Sequence, residues 1–142
     1  WALLFSNNKN EFYSLDLKTG ILNWKQKVNS NLRSTIINEL VFSISNEGYL
    51  FVLDFNTGNI LRVTDIFNHL NKEKKNKILP EGFIVGINKI YLTTNNGRLF
   101  IIDISSGKTV SILKIDNEKI SRPFVSNKNM FIVKENSIIK LN

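Results

Sequence analysis

The 142-residue chain has no cysteine, so disulfides and thiolate chemistry are excluded, and the redox compartment stays open. It has a single histidine, His69, which excludes a metal site built on several histidines. No apolar stretch approaches the roughly 18 residues expected of a membrane-spanning helix. An opening methionine and a basic leader are also missing: the chain begins at Trp1 with a strand-like run. The expectation is a piece of a longer protein, whose compartment signal lies elsewhere. Acidic residues are few beside basic ones, 12 against 19, for a net charge of +7. That excess invites a nucleic-acid or anionic-surface reading. Yet Asn, Ile and Lys rise together, as residues of AT-rich codons do. Only Lys72, Lys74, Lys75 and Lys77 cluster, with Glu73 between them. A solvated loop accounts for them better than a phosphate-binding patch, and no nucleic-acid partner is expected. At 42% hydrophobic and 22% charged residues, the composition is that of an ordinary globular protein.

What is present is a repeat. Tyr13-Ser14-Leu15-Asp16-Leu17-Lys18-Thr19-Gly20 returns as Phe51-Val52-Leu53-Asp54-Phe55-Asn56-Thr57-Gly58, and again as Phe100-Ile101-Ile102-Asp103-Ile104-Ser105-Ser106-Gly107. A fainter copy, Ser137-Ile138-Ile139-Lys140-Leu141-Asn142, ends where the aspartate would fall. A period of about 40 residues with short β-runs suits a four-stranded propeller blade. The second unit predicts strands over 34–38, 40–45, 49–55 and 59–66, and the third over 83–87, 90–94, 98–104 and 109–115. The first unit lacks its first strand and the fourth lacks its last, which makes 14 strands altogether. The runs are rich in β-branched and aromatic residues, and Gly-containing turn signals separate them. The third strand of each unit, as in Leu50-Phe51-Val52-Leu53, is apolar on both faces and must be covered on both.

These patterns predict an all-β fold, a β-propeller of four-stranded antiparallel blades. About 3.5 blades are present, as an open half-ring of a 7- or 8-bladed propeller. The chain is read as one partial propeller domain over 1–142, with blades at 1–28, 29–67, 82–116 and 120–142 and an insertion at 67–81. Two sets of 14 strands would make 28, enough for seven blades. Uncovered apolar faces at the two ends predict self-association.

The recurrent Asp-x-x-Thr/Ser-Gly has a local physical reading. The carboxylates of Asp16, Asp54 and Asp103 can accept backbone N–H groups of their own turns, joined by the hydroxyls of Thr19, Thr57 and Ser106. Gly20, Gly58 and Gly107 then supply the positive φ of a tight hairpin. Calcium binding or acid catalysis is the alternative, but carboxylates placed one per blade are spread apart rather than convergent.

The stretch Ser14-Leu15-Asp16-Leu17-Lys18-Thr19-Gly20-Ile21-Leu22-Asn23-Trp24 resembles the tryptophan-docking repeat of quinoprotein-type (PQQ-like repeat) β-propellers. In that family the Trp docks on the neighbouring blade, the role the resemblance implies for Trp24. The later copies carry Arg62 and Ser111 in its place, so aliphatic packing must do more there. Two branches of the family compete. Its quinone-dependent dehydrogenases use calcium, an adjacent cysteine pair and a catalytic aspartate. The BamB-like branch is non-enzymatic. The undecorated blades and missing cysteines look more like the latter. That resemblance implies a periplasmic, outer-membrane-associated scaffold without cofactor, metal or catalytic residues, with the β-barrel assembly machinery as partner.

Local features are weaker signals. The 67–81 insertion is read with one helical turn at 66–70, then a charged loop ending at Pro80. Phe67, His69, Lys74 and Lys75 in it are candidate partner contacts, or simply parts of a tolerated surface loop. Arg33 and Arg122 hold equivalent positions before the first strands of units two and four, suited to an acidic partner or to salt bridges between blades. Trp1 is expected in the core or docked on a blade.

Overall fold

The computed structural model describes residues 1–7 and 9–141, and Asn142, at the end of the fourth copy, lies outside them. Fourteen strands fall into four antiparallel sheets among these residues. Sheet one joins β1 (Ala2–Ser6), β2 (Phe12–Asp16) and β3 (Leu22–Gln26). Sheet two joins β4 (Thr35–Ile37), β5 (Leu40–Ile44), β6 (Tyr49–Asp54) and β7 (Ile60–Asp65). Sheet three joins β8 (Pro80–Val85), β9 (Lys89–Thr94), β10 (Arg98–Asp103) and β11 (Thr109–Lys114), after the short helix α1 (Lys72–Lys75). Sheet four joins β12 (Phe124–Ser126), β13 (Asn129–Lys134) and β14 (Ser137–Leu141). Each sheet is a meander whose strands lie in chain order, as in the blades of a partial propeller of about 3.5 blades.

The register repeats as closely as the sequence does. Asp16 stands opposite Ala2, Asp54 opposite Leu40 and Asp103 opposite Lys89. The ladder shifts at the same point in each copy, between Ser14 and Leu15, Val52 and Leu53, and Ile101 and Ile102. A bulge there adds local twist just before the tight hairpin.

The chain forms two compact units, Trp1–Asp65 and Ile66–Asn142. In the first, sheets one and two close on Phe12, Trp24, Val28, Val41 and Leu53, with Leu4, Phe51 and Phe55 packed against them. Trp24 is the centre of this contact. It is 6% exposed, meets Phe12 edge to face at 5.6 Å between ring centroids, and donates its Nε1–H to the Phe55 carbonyl at 2.8 Å. Its ring lies flat on Gly58, where a Cβ would stand 2.4 Å from Trp24 Cδ2. In the second unit, sheets three and four close on Leu99, Ile120 and Ile132, ringed by Tyr91, Ile115, Met130 and Leu141.

Two expectations are corrected. The helical turn is α1, at Lys72–Lys75, where the Asn71 side chain accepts the Lys74 N–H as an N-cap. Residues 66–69 form turns instead, held by the burial of Ile66 and Phe67, and the charged loop ends at Pro80, where β8 begins. Trp1 is 94% exposed: nothing covers its ring, although its carbonyl accepts the Leu17 N–H.

Gly20 and Gly58 make a paired test. Both have φ near +70°, but nothing lies within 4 Å of a Cβ built on Gly20. Gly20→Ala therefore costs only the left-handed backbone conformation, about 1–2 kcal/mol. Gly58→Ala carries the same cost and also displaces the Trp24 ring, adding about 1–3 kcal/mol of overpacking. Urea unfolding of the two variants measures the difference. Trp24→Ala, which empties the contact, should cost about 3–5 kcal/mol.

Candidate functional site

The three repeated hairpins share one geometry. Asp16 Oδ1 accepts the N–H of Lys18 at 3.0 Å, the N–H of Thr19 at 2.8 Å and the Thr19 hydroxyl at 2.9 Å. Asp54 Oδ1 does the same with Asn56, Thr57 and the Thr57 hydroxyl, at 3.0, 2.7 and 2.9 Å. Asp103 Oδ1 accepts the N–H and hydroxyl of Ser106, each at 3.0 Å, and the Ser105 hydroxyl. In every copy the Asp carbonyl accepts the glycine N–H, and Gly20, Gly58 and Gly107 have φ of 69°, 71° and 71°. Chemically this is an Asx-type turn whose carboxylate is satisfied by its own loop. The free Oδ2 of Asp103 meets Lys89 Nζ at 2.9 Å. Among the described residues no three His, Asp or Glu side chains converge as metal ligands would.

These contacts favour the ionised form. Asp16 and Asp54 titrate below the ordinary value of 3.8, each held chiefly by the backbone N–H of its Thr and then by the Thr hydroxyl. Asp103 is held well below that range, first by the Ser105 hydroxyl, then by Lys89 and Ser106. Two further carboxylates behave alike. Glu11 is lowered to about 2 by Lys25, with Tyr13 and Asn7 assisting, and Asp116 to about 2 by Lys134 and the N–H groups of Asn117 and Glu118.

The insertion and sheet three line a pocket of about 420 Å³ in the second unit. Its apolar walls come from Leu70, Ile78, Phe100 and Ile112, and its polar lining from His69, Lys74, Lys77, Asn96 and Arg98. His69 is exposed and tilts over Phe100 at 6.0 Å between ring centroids. Arg98 Nη1 donates to the carbonyls of Asn96 and Asp116, at 3.0 and 2.8 Å, which fixes its guanidinium. Lys77 reaches Glu73 at 3.0 Å, a pair more than 70% exposed on both sides and so of little energetic weight. Among the described residues no carboxylate lines the pocket. Its chemistry is an aromatic and aliphatic floor under a cationic rim.

The other candidate contacts separate. Phe67 is fully buried, edge-on to Phe100 at 5.2 Å, so it supports the pocket from beneath and offers nothing to a partner. Lys75 lies on α1 outside the pocket lining. Arg122 lies across Gly82, and its Nε donates to the Phe83 carbonyl at 2.8 Å. Arg33 is exposed in the first unit, beside β1. Arg98 and Asn96 went unnoticed in the sequence. A signal was present: five residues before each repeated Asp stand Glu11, Tyr49 and Arg98, polar or aromatic where the strand interior is aliphatic.

No protein-family model matches the sequence, and no curated protein matches it. Solved β-propellers do match the fold. BamB from Moraxella catarrhalis superposes over 92% of this chain with a TM-score of 0.67 at 18% identity. Sqt1 from Saccharomyces cerevisiae covers 93% with a TM-score of 0.74 at 16% identity. The β-propeller domain of Cps50 (Swd1) from Myceliophteria thermophila covers 92% with a TM-score of 0.68 at 13% identity. The chain spans 39%, 40% and 44% of those three chains, respectively. At such identities the likeness is one of fold.

The depressed carboxylates imply an acid-sensitive fold. Below the unfolded value near 3.8 the unfolded chain takes up protons that the folded chain does not. Stability is therefore complete above that value and falls as the pH drops toward the folded values. The thermal midpoint should be flat between about pH 7 and pH 5 and decline below about pH 4. Asp103→Asn should flatten the acid limb more than Asp16→Asn does.

Proposed function

We propose that this chain belongs to a non-enzymatic propeller scaffold that holds protein partners. Its finer role is BamB-like: periplasmic, at the outer membrane, in the assembly of outer-membrane β-barrel proteins. The observation that carries the scaffold reading is the pocket of the insertion. A rigid sheet presents Phe100 and Ile112 under a rim of Lys74, Lys77 and Arg98, complementary to an acidic segment with an apolar anchor. The three repeated carboxylates do not compete for a catalytic role, since each already accepts hydrogen bonds from its own turn. The likeness to BamB supports the finer role, as does the Asp-x-x-Thr-Gly repeat with its docked Trp24.

Self-association is a second reading, and a specific observation favours it. The face of sheet one that carries Leu3 and Phe5 leaves them 48% and 39% exposed, and on sheet four Phe124, Val133 and Ile138 are exposed as well. The quinone-dependent dehydrogenase is the competing enzymatic reading.

Purified subunits of a β-barrel assembly machinery should bind the chain saturably. The double substitution Lys74→Glu, Lys77→Glu should weaken that binding about tenfold or more at low salt, with the wild-type affinity falling as salt rises. Binding that ignores both changes would remove the pocket from the interface. Pyrroloquinoline quinone with calcium should leave the melting temperature of the full-length protein unmoved, whereas a dose-dependent rise would favour the dehydrogenase.

A further inference from the structure

Strand β10 sets two kinds of side chain on one face. Arg98 and Phe100, two residues apart, both line the insertion pocket, as alternation along a strand requires. The ladder doubles each of them: Lys114 stands opposite Arg98, and Ile112 opposite Phe100. A cationic pair and an apolar pair therefore lie side by side, about 7 Å apart along the strands. Sheet three has all four strands of its meander, so the arrangement is internal to it.

The cationic end of this grid is held in place. Arg98 Nη1 is tied to the carbonyls of Asn96 and Asp116, at 3.0 and 2.8 Å. The turn beneath it is closed by the Gly97 N–H on the Thr94 carbonyl at 3.1 Å. The remaining donors of the guanidinium, on Nε and Nη2, are left for a ligand. Asn96 is oriented as well: its Oδ1 accepts the Thr94 hydroxyl at 2.7 Å, which leaves the amide N–H groups as further donors at the same end. The His69 ring leans over Phe100, in the apolar half. Lys74 and Lys77 are exposed on long stems, and Lys77 already meets Glu73. They attract negative charge without fixing where it sits.

We infer that the pocket reads an extended segment of a partner protein in which an acidic residue and a large apolar residue stand two positions apart. An extended chain sets residues i and i+2 on one side, about 7 Å apart, which is the spacing of Arg98 and Phe100. The carboxylate then meets Arg98 and Asn96 while the apolar side chain rests on Phe100 and on Ile112, itself 40% exposed. At spacings of one or three, one of the two side chains falls on the far side of the segment. A helical partner would carry a different signature, since it pairs i with i+3 or i+4. The inference rests on the proposed reading of the pocket as a protein-binding site, and it adds the conformation and spacing of what is bound.

The test uses labelled peptides in a serine background with Glu and Phe adjacent, two apart or three apart, titrated against the 142-residue chain by fluorescence anisotropy at low salt. The peptide with the two-residue spacing should bind about fivefold or more tightly than the others. Glu replaced by Gln in that peptide should weaken it about fivefold or more, the loss of a charge-assisted contact, and Arg98→Gln should erase this difference. Because Arg98 also ties down its turn, Ile112→Ser at a half-exposed position is the second variant. It should shrink the advantage of Phe over Ser in the peptide and leave the Glu-to-Gln difference intact. Equal affinity at every spacing, no peptide binding, or indifference to both variants would each overturn the inference. The pocket reading survives such a failure if Lys74→Glu, Lys77→Glu still weakens the binding of the assembly-machinery subunits. Concentration-dependent dimerisation that the peptide displaces would assign the pocket to a second copy and overturn the inference as well.

Discussion

Trp24 lying on Gly58 is the contact on which the first unit depends, and the hairpin lock makes it available. Asp54 gathers the N–H groups of Asn56 and Thr57 and the Thr57 hydroxyl onto one oxygen. That fixes the turn so that Gly58 takes φ +71° and the Phe55 carbonyl is left outside the ladder. The tryptophan of sheet one uses both: its ring covers the glycine and its N–H meets the carbonyl. A motif that looks purely local in the sequence is thus also a receptor for the neighbouring sheet. Burial of the indole against Phe12, Val41 and Leu53 then supplies the hydrophobic gain.

The same logic accounts for what is uncovered. Gly20 sits in an equivalent lock, yet nothing stands over it, and the outward face of sheet one exposes Leu3 and Phe5. A sheet apolar on both faces needs neighbours on both, and Leu3 and Phe5 mark the face of sheet one that has none among the described residues. In the second unit the inter-sheet contact is built differently. Arg122 takes the place of an aromatic: its stem lies on Gly82 and its guanidinium on a carbonyl. Both solutions set a flat or extended side chain on a glycine and anchor its nitrogen to the backbone one to three residues away.

Much of this fold was legible because its determinants are local. Alternation, turn residues and the repeated Asp each act within a few positions, and the eight strands expected in units two and three all form, with β8 starting three residues early at Pro80. The insertion was harder, because it lacks a repeat to align with. A helical turn was expected at 66–70, but Ile66 and Phe67 are drawn into the core, and Asn71 caps a turn further on. For the same reason Phe67, an apolar residue beside a charged loop, lies beneath the pocket rather than on it. Trp1 misled through its size, since burial depends on a neighbour and none reaches it. His69 and Lys74 come together as pocket lining, but Arg98 and Asn96 join them from sequence-distant strand ends that only the fold brings close.

A double-mutant cycle between the lock and the tryptophan tests the receptor idea most directly. Trp24→Phe and Asp54→Asn would be made singly and together, and the shift in thermal midpoint measured for each. If the lock positions the receptor, Trp24→Phe should cost clearly less in the Asp54→Asn background than in the wild type. The parallel cycle with Asp16→Asn, whose hairpin receives no tryptophan, should be additive. Full additivity in the Asp54 cycle would contradict the coupling and reduce the repeat to an isolated turn.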